Sequence, residues 1–148
     1  MAENLSITHA GETFIFPKDS LFTAQGAWIT SSGCRLRVGI SDFLRWRLGE
    51  IISVNLTQPP FNVRQGEAAA VLETSAEAFN VLSPLTGKAR TINTDLLQNP
   101  NLINQNPYGD GWLYEADPFN WEDDKALFLS PIEYYHQVKE EIEEMQVR

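Results

Sequence analysis

Before residue 130 the apolar runs of this chain are short, alternate with period two and stop at glycine or proline. That pattern makes strands and leaves little room for long helices. RLRVGI (35–40) alternates cleanly, and EIISVNLT sets Ile51, Ser53 and Asn55 against Ile52, Val54 and Leu56. Pro59-Pro60 cannot sit inside a central strand, so QPPFNVRQGE is a loop and tight turn. EAAAVLET reads as a strand by position, its alanines implying close packing against a neighbouring sheet. FNVL, KARTINTDLL and WLYEAD are further strands, while FIFPKDSLFTAQGAWIT holds short aromatic and β-branched runs broken by Pro17 and Gly26. PNLINQNPYGDG is a loop with one helical turn near 101–104.

Two segments depart from the alternation. In SDFLRWRLGE, Ser41 or Asp42 can cap, Phe43/Arg47 and Leu44/Leu48 are spaced as helical faces, and Gly49 stops the element, which predicts a short helix near 41–48. Ser130-Pro131-Ile132-Glu133 is a capping box with proline at the first helical position. Ile132, Tyr135, Val138, Ile142 and Met145 then recur at helical spacing, giving a C-terminal helix near 131–146. Residues 1–13, polar and aperiodic, read as a flexible tail, and 14–148 as one domain. The fold class is mainly β, a barrel or sandwich.

The length of 148 residues and 43% hydrophobic content suit a single core. A net charge of −9 argues against nucleic-acid binding, which needs clustered cations. No apolar run reaches the ~18–20 residues of a membrane helix, and MAENLSITHAGETF lacks the pattern of a signal peptide. The single cysteine, Cys34, excludes an intrachain disulfide and points to a reducing, cytoplasmic compartment. It follows a turn-like SSG, which fits a reactive thiol, but its place in CRLRVGI favours a buried structural one.

A search for catalytic chemistry finds none. His9 and His136 are too far apart in the pattern to build a triad with Cys34, no Cys/His pair has zinc spacing, and no glycine-rich phosphate loop is present. Asp123-Asp124 and the glutamates of 140–144 read as solvated surface. The conspicuous motif is instead VLETSAEAFNVLSPLTG (71–87): two apolar runs around the small polar link TSAEA, then a Ser-Pro turn. It predicts a hairpin with a presented tip.

Taken in order, the segments resemble the H protein of the glycine cleavage system, a lipoyl carrier. FPKDSLFTAQGAWIT is similar to that family's opening strand, and VGISDFLRWRLGEIISVNL to its Val-Gly-Ile-Thr-Asp…Leu-Gly-Asp-Ile-Val block. VRQGEAAAVLET resembles the run into the lipoyl hairpin, and SPLTGKARTIN its exit. NPNLINQNPYGDGWL matches the Pro-Glu-Leu-Ile-Asn…Asp-Pro-Tyr-Gly-Glu-Gly-Trp-Leu signature, and LFLSPIEYYHQV the closing helix. The resemblance runs from about Phe16 to about Val138. It implies a biotinyl/lipoyl-type barrel-sandwich hybrid, protein partners such as the glycine cleavage enzymes or related lipoate-dependent enzymes, and lipoate as the family cofactor.

Three departures qualify what the resemblance implies. The family's tip reads Glu-Ser-Val-Lys-Ala, with lipoate in amide linkage on the lysine. Aligning Glu73 and Ser83-Pro84 without a gap leaves Ala76 at that position, within Glu73, Thr74, Ser75 and Glu77. The four lysines are Lys18, Lys88, Lys125 and Lys139, none in the tip, and Lys88 beyond the next turn is not expected to substitute. No lipoate is therefore expected. Arg45-Trp46-Arg47 stands where the family has polar or small residues; Trp46 serves either as an interface anchor beside arginines or as core against Phe43 or Phe22. Gly26 stands where the family often has a histidine. Three readings follow: a non-enzymatic scaffold or regulatory relative of the carrier; a repurposed ligand- or peptide-binding module whose cleft is lined by 68–70 and 99–106; or a conventional H protein in glycine decarboxylation.

Overall fold

The alternating segments pair into three antiparallel sheets in the computed structural model, which describes residues 4–147. In chain order the elements are β1 (Leu5–His9), β2 (Glu12–Phe16), β3 (Leu21–Phe22), β4 (Ala27–Ser32), β5 (Arg35–Ile40), α1 (Asp42–Leu48), β6 (Ser53–Leu56), β7 (Phe61–Val63), β8 (Ala68–Glu73), β9 (Ala78–Leu82) and β10 (Gly87–Ile92). Two single turns, α2 (Asp95–Gln98) and α3 (Leu102–Gln105), lead to β11 (Tyr114–Pro118); then come α4 (Trp121–Asp124), a 3-10 turn and the long α5 (Pro131–Val147). One sheet has the order β3-β4-β5-β11-β10-β7, the second is β6-β8-β9, and β1-β2 stand apart as a hairpin. The mainly β barrel-sandwich expectation, with helices near 41–48 and 131–146, matches this architecture.

Local chemistry explains the helix limits. Ser41 wins the cap over Asp42: its hydroxyl accepts the Leu44 N–H at 3.2 Å. Gly49, at φ 81°, closes α1 and donates its N–H to the Arg45 carbonyl. The capping box at α5 forms both ways: Glu133 N–H donates to Ser130 Oγ at 3.2 Å, and Ser130 N–H donates to Glu133 Oε1 at 2.9 Å.

The interior divides in two. Ile29, Val38, Ile40, Leu72, Val81 and Tyr114 belong to a core between the sheets. A second, aromatic core joins Phe14, Phe16, Phe22, Trp28, Phe43 and Tyr134 beneath β1-β2, α1 and α5. Phe22 stacks on Tyr134 with centroids 4.7 Å apart, and Trp28 donates its indole N–H to the Pro107 carbonyl at 2.9 Å. Burying rings of this size contributes about 1.5–3 kcal/mol each, so this second core holds α5 and the N-terminal hairpin to the sheets.

Several expectations need correcting. Residues 1–3 lie outside the described residues, but the rest of the expected tail is β1 and the start of β2, paired from Leu5↔Phe16 to His9↔Glu12. Ala10 and Gly11 turn the chain with φ of 53° and 80°. Leu5 and Ile7 face inward onto the aromatic core, which anchors a segment whose outward face is polar. Cys34 is exposed, not buried, because it sits in the β4–β5 turn after Gly33 rather than in β5. KARTINTDLL is not one strand: β10 stops at Ile92, and α2 follows with Leu96 buried. Of the three alanines at 68–70 only Ala70 is buried.

Candidate functional site

The β8-β9 hairpin presents the candidate site. Its last ladder pair is Glu73↔Ala78, so Thr74, Ser75, Ala76 and Glu77 form the bend. Ser75, Ala76 and Glu77 are exposed, while Thr74 is buried and shapes the turn from inside. The Thr74 hydroxyl donates to the Glu77 carbonyl at 3.1 Å and accepts the N–H groups of Ala76 (3.2 Å) and Glu77 (3.1 Å). Thr74 N–H also donates to the Glu77 carbonyl at 2.9 Å. Such local side-chain bonds are how threonine stabilises turns. On the β6 side, Asn55 Nδ2 donates to Glu73 Oε1 at 2.7 Å, fixing the base of the bend. The sequence marked Ala76 and its neighbours; it did not mark Thr74 as the residue that shapes the turn.

The bend itself contains no lysine. Lys88 lies within β10, opposite Asp117 of β11 and Asn62 of β7, in the other sheet. Lys18 follows β2, Lys125 pairs with Glu122 at 3.0 Å, and Lys139 is on α5. An alanine methyl cannot form an amide, so the residues at the bend do not fit a covalent lipoyl group.

The Arg45-Trp46-Arg47 cluster faces the chain's own N- and C-terminal elements. Trp46 is half-buried, stacked on Phe43 with centroids 6.0 Å apart, 5.3 Å from Phe14 and edge-on to His9 at 5.6 Å. Of the two alternatives, the packing against Phe43 is the one these contacts form, with part of the ring left at the surface. Arg45 Nη2 lies 3.5 Å from Asp42 and 3.7 Å from Glu12 of β2; Arg47 lies 3.8 Å from Glu141 of α5. Asp42 accepts the Ile15 N–H at 2.9 Å. Burial raises the Asp42 carboxyl above its usual range, opposed by the Ile15 N–H and Arg45. Tyr108 completes the junction: its hydroxyl donates to the Ile15 carbonyl at 2.6 Å and accepts the Asp42 N–H at 3.1 Å. Burial pushes this phenol well above its ordinary value. The bonds to Glu12 and to the Ile15 N–H and carbonyl tie β2 to the body of the protein.

Beside the hairpin runs an apolar groove of about 210 Å³, lined by Gln25, Ala27, Leu44, Phe79, Val81 and Leu82, with Asn80 along it. Gly26, at φ 101°, lets the β3–β4 turn approach α1: a Cβ there would lie 3.0 Å from Leu44 Cβ and 3.3 Å from the Tyr134 hydroxyl. This close approach accounts for glycine where the resemblance suggests histidine. Residues 68–70 line a different, shallower depression with Asn55, Leu56 and Thr57. The loop 99–106 lines neither; Asn104 instead ties α3 to the connection between α1 and β6, donating to the Gly49 carbonyl at 2.8 Å and accepting the Ile51 N–H at 2.9 Å. Neither the groove nor this depression joins 68–70 to 99–106. The groove's lining comes from three separate stretches, which no local sequence pattern connects.

Among the described residues no group of histidine, cysteine, aspartate and glutamate could hold a metal ion, and no helix is long and apolar enough to cross a membrane.

Comparison with known proteins places this geometry in a family. The model of the glycine cleavage H-protein family matches residues 20–142. A probable glycine cleavage system H protein 1 of Saccharolobus solfataricus is 32% identical over 127 residues, covering 85% of this chain and 93% of that protein. The glycine cleavage system H protein of Thermus thermophilus is 35% identical over 102 residues, covering 69% of this chain and 80% of its own length. The crystal structure of a glycine cleavage system H protein from Mycobacterium marinum superposes with a TM-score of 0.65 at 30% identity, covering 69% of this chain and 85% of that one. With the hairpin, the sheet order and these similarities in agreement, the chain belongs to the glycine cleavage H-protein family.

Proposed function

We propose that this chain is a non-enzymatic member of the family that carries no lipoate and acts as a scaffold or regulator among glycine cleavage enzymes or related lipoate-dependent enzymes. The observation that supports this reading is Ala76 at the exposed apex of a well-formed hairpin, with every lysine elsewhere. A shuttle needs a long, flexible arm to carry a group between distant active sites. Without an amine at the bend the arm has no attachment, so a docking surface is what the fold can still provide.

The test is the intact mass of the protein after co-expression with lipoate-attaching enzymes and excess lipoate. The expected result is the unmodified mass. One added lipoyl group, mapped to any lysine, overturns the reading and returns the chain to the conventional carriers. A second reading, a repurposed ligand- or peptide-binding module, is favoured by the apolar groove along β9.

A further inference from the structure

We propose that the open edge of β9, together with the groove beside it, is a docking site for an extended basic peptide segment of a partner protein. The peptide adds a strand to the β6-β8-β9 sheet and seats one apolar side chain in the groove. The proposal deepens the binding-module reading and does not rest on Ala76, so a lipoylated chain would leave it standing.

The first observation is the free edge. β9 pairs with β8 on one side only, and among the described residues no strand covers its other side. Thr74 N–H bonds to the Glu77 carbonyl, which sets the phase of the ladder. Hydrogen-bonded pairs then fall at Leu72↔Phe79 and Ala70↔Val81, and the Ala78 and Asn80 amide and carbonyl groups turn outward. The bond from Ile52 N–H to the Glu73 carbonyl agrees: Glu73, opposite Ala78, likewise turns its backbone away from β9, toward β6. Outward backbone groups on a short edge are what an incoming strand recognises.

The second observation is the groove. It lies against this edge, with Phe79, Val81 and Leu82 of β9 on one wall and Ala27 and Leu44 on the other. Gly26 permits the close approach that sets the second wall. Its volume, about 210 Å³, exceeds the ~150 Å³ that admits a benzene-sized group and falls short of the ~300 Å³ usual for a drug-sized ligand. It therefore suits one leucine- or phenylalanine-sized side chain rather than a whole cofactor.

The third observation is charge. Glu77 is exposed immediately before β9. Gln137 of α5 donates to the Ala24 carbonyl at 2.9 Å, which brings α5 to the residue preceding Gln25 of the groove. Glu140 and Glu144 follow on the same helical face and are exposed. The chain as a whole carries −9. Lysines flanking an apolar anchor match this rim; acidic flanks would be repelled.

The test uses the full chain and a fluorescein-labelled peptide, Lys-Lys-Thr-Thr-Leu-Thr-Thr-Lys-Lys, followed by fluorescence anisotropy. Saturable binding is expected. It should weaken at least roughly tenfold when the leucine becomes glycine, the loss typical of a removed anchor. A similar loss is expected when the backbone amides beside the leucine are N-methylated. Asn80→Pro removes an outward amide at an edge position where proline is tolerated, and Gln25→Trp fills the groove from an exposed position; each should weaken binding by a similar factor at unchanged melting temperature. If Asn80→Pro proves unstable, Gln25→Trp and the N-methylated peptide carry the test. Absence of saturable binding to the wild-type chain overturns the proposal. So does binding indifferent to N-methylation and to groove filling, which would be charge attraction alone. A concentration-dependent dimer that is lost in Asn80→Pro and excludes the peptide assigns the edge to a second copy, and likewise overturns it.

Discussion

In the proposed reading, what separates this chain from a carrier is the methyl group at position 76 in place of an amine-bearing stem. The bend itself is intact, because its shape comes from Thr74 and not from residue 76. Ala76→Lys is therefore expected to gain one lipoyl group under the same co-expression, read by intact mass. If the new lysine stays unmodified while the protein remains folded, Ser75 and Glu77 have abolished recognition by the attaching enzyme. A second residue-scale prediction concerns Glu133. Hydrogen bonds from Ser130, its backbone N–H first, hold this carboxyl below its ordinary value of 4.5. A depressed carboxyl contributes stability above the unfolded value and loses it as pH falls through the folded one. Glu133→Gln keeps the cap geometry, so it should flatten the acid limb of stability against pH, measured by urea denaturation. Asp42 has the opposite sign: its burial raises the carboxyl, so its contribution falls as pH rises through the interval above 3.8.

At the scale of elements, the N-terminal hairpin is the feature least visible in the sequence. LSITH and ETFIF do alternate, and Ala10-Gly11 is a turn signal, but the outward positions Ser6, Thr8 and Thr13 make the stretch look polar. What holds it lies far along the chain, in Trp46, Asp42 and Tyr108, and such contacts leave no local trace. Tyr108→Phe removes the bonds to the Ile15 carbonyl and the Asp42 N–H while keeping the ring. It should destabilise the protein by roughly 0.5–1.5 kcal/mol, the usual net contribution of a hydrogen bond whose partners keep access to water, with faster amide exchange in β2 than elsewhere. The β8-β9 hairpin, by contrast, was legible. Its strands are flanked by Gly66 and by Ser83-Pro84, and the small polar link TSAEA between two apolar runs marks the bend in which Ala76 sits. Cys34 went the other way: one residue of uncertainty in where β5 starts separates a buried thiol from an exposed one.

At the scale of the molecule, two cores differ in how they are closed. The core between the sheets is framed by long ladders such as β4-β5, paired over Ala27↔Ile40 to Ser32↔Arg35. The aromatic core is roofed by a two-stranded hairpin and by α5, largely through side chains. Native-state hydrogen exchange in low denaturant should show β1, β2 and α5 opening together at lower free energy than β4, β5 and β11. A single opening energy across both sets would count against two separable units. The mainly β class was readable because period two survives wherever one face of a sheet is buried. The groove was not, since Gln25, Leu44 and Phe79 meet only after three elements have packed. The hydroxyl of Thr74 has one more consequence. Because the scaffold of the loop is carried by its neighbour, position 76 is a vacant socket: a thiol, an azide-bearing amino acid or a spin label could be installed there and report on whatever approaches the tip, without reshaping the loop that displays it.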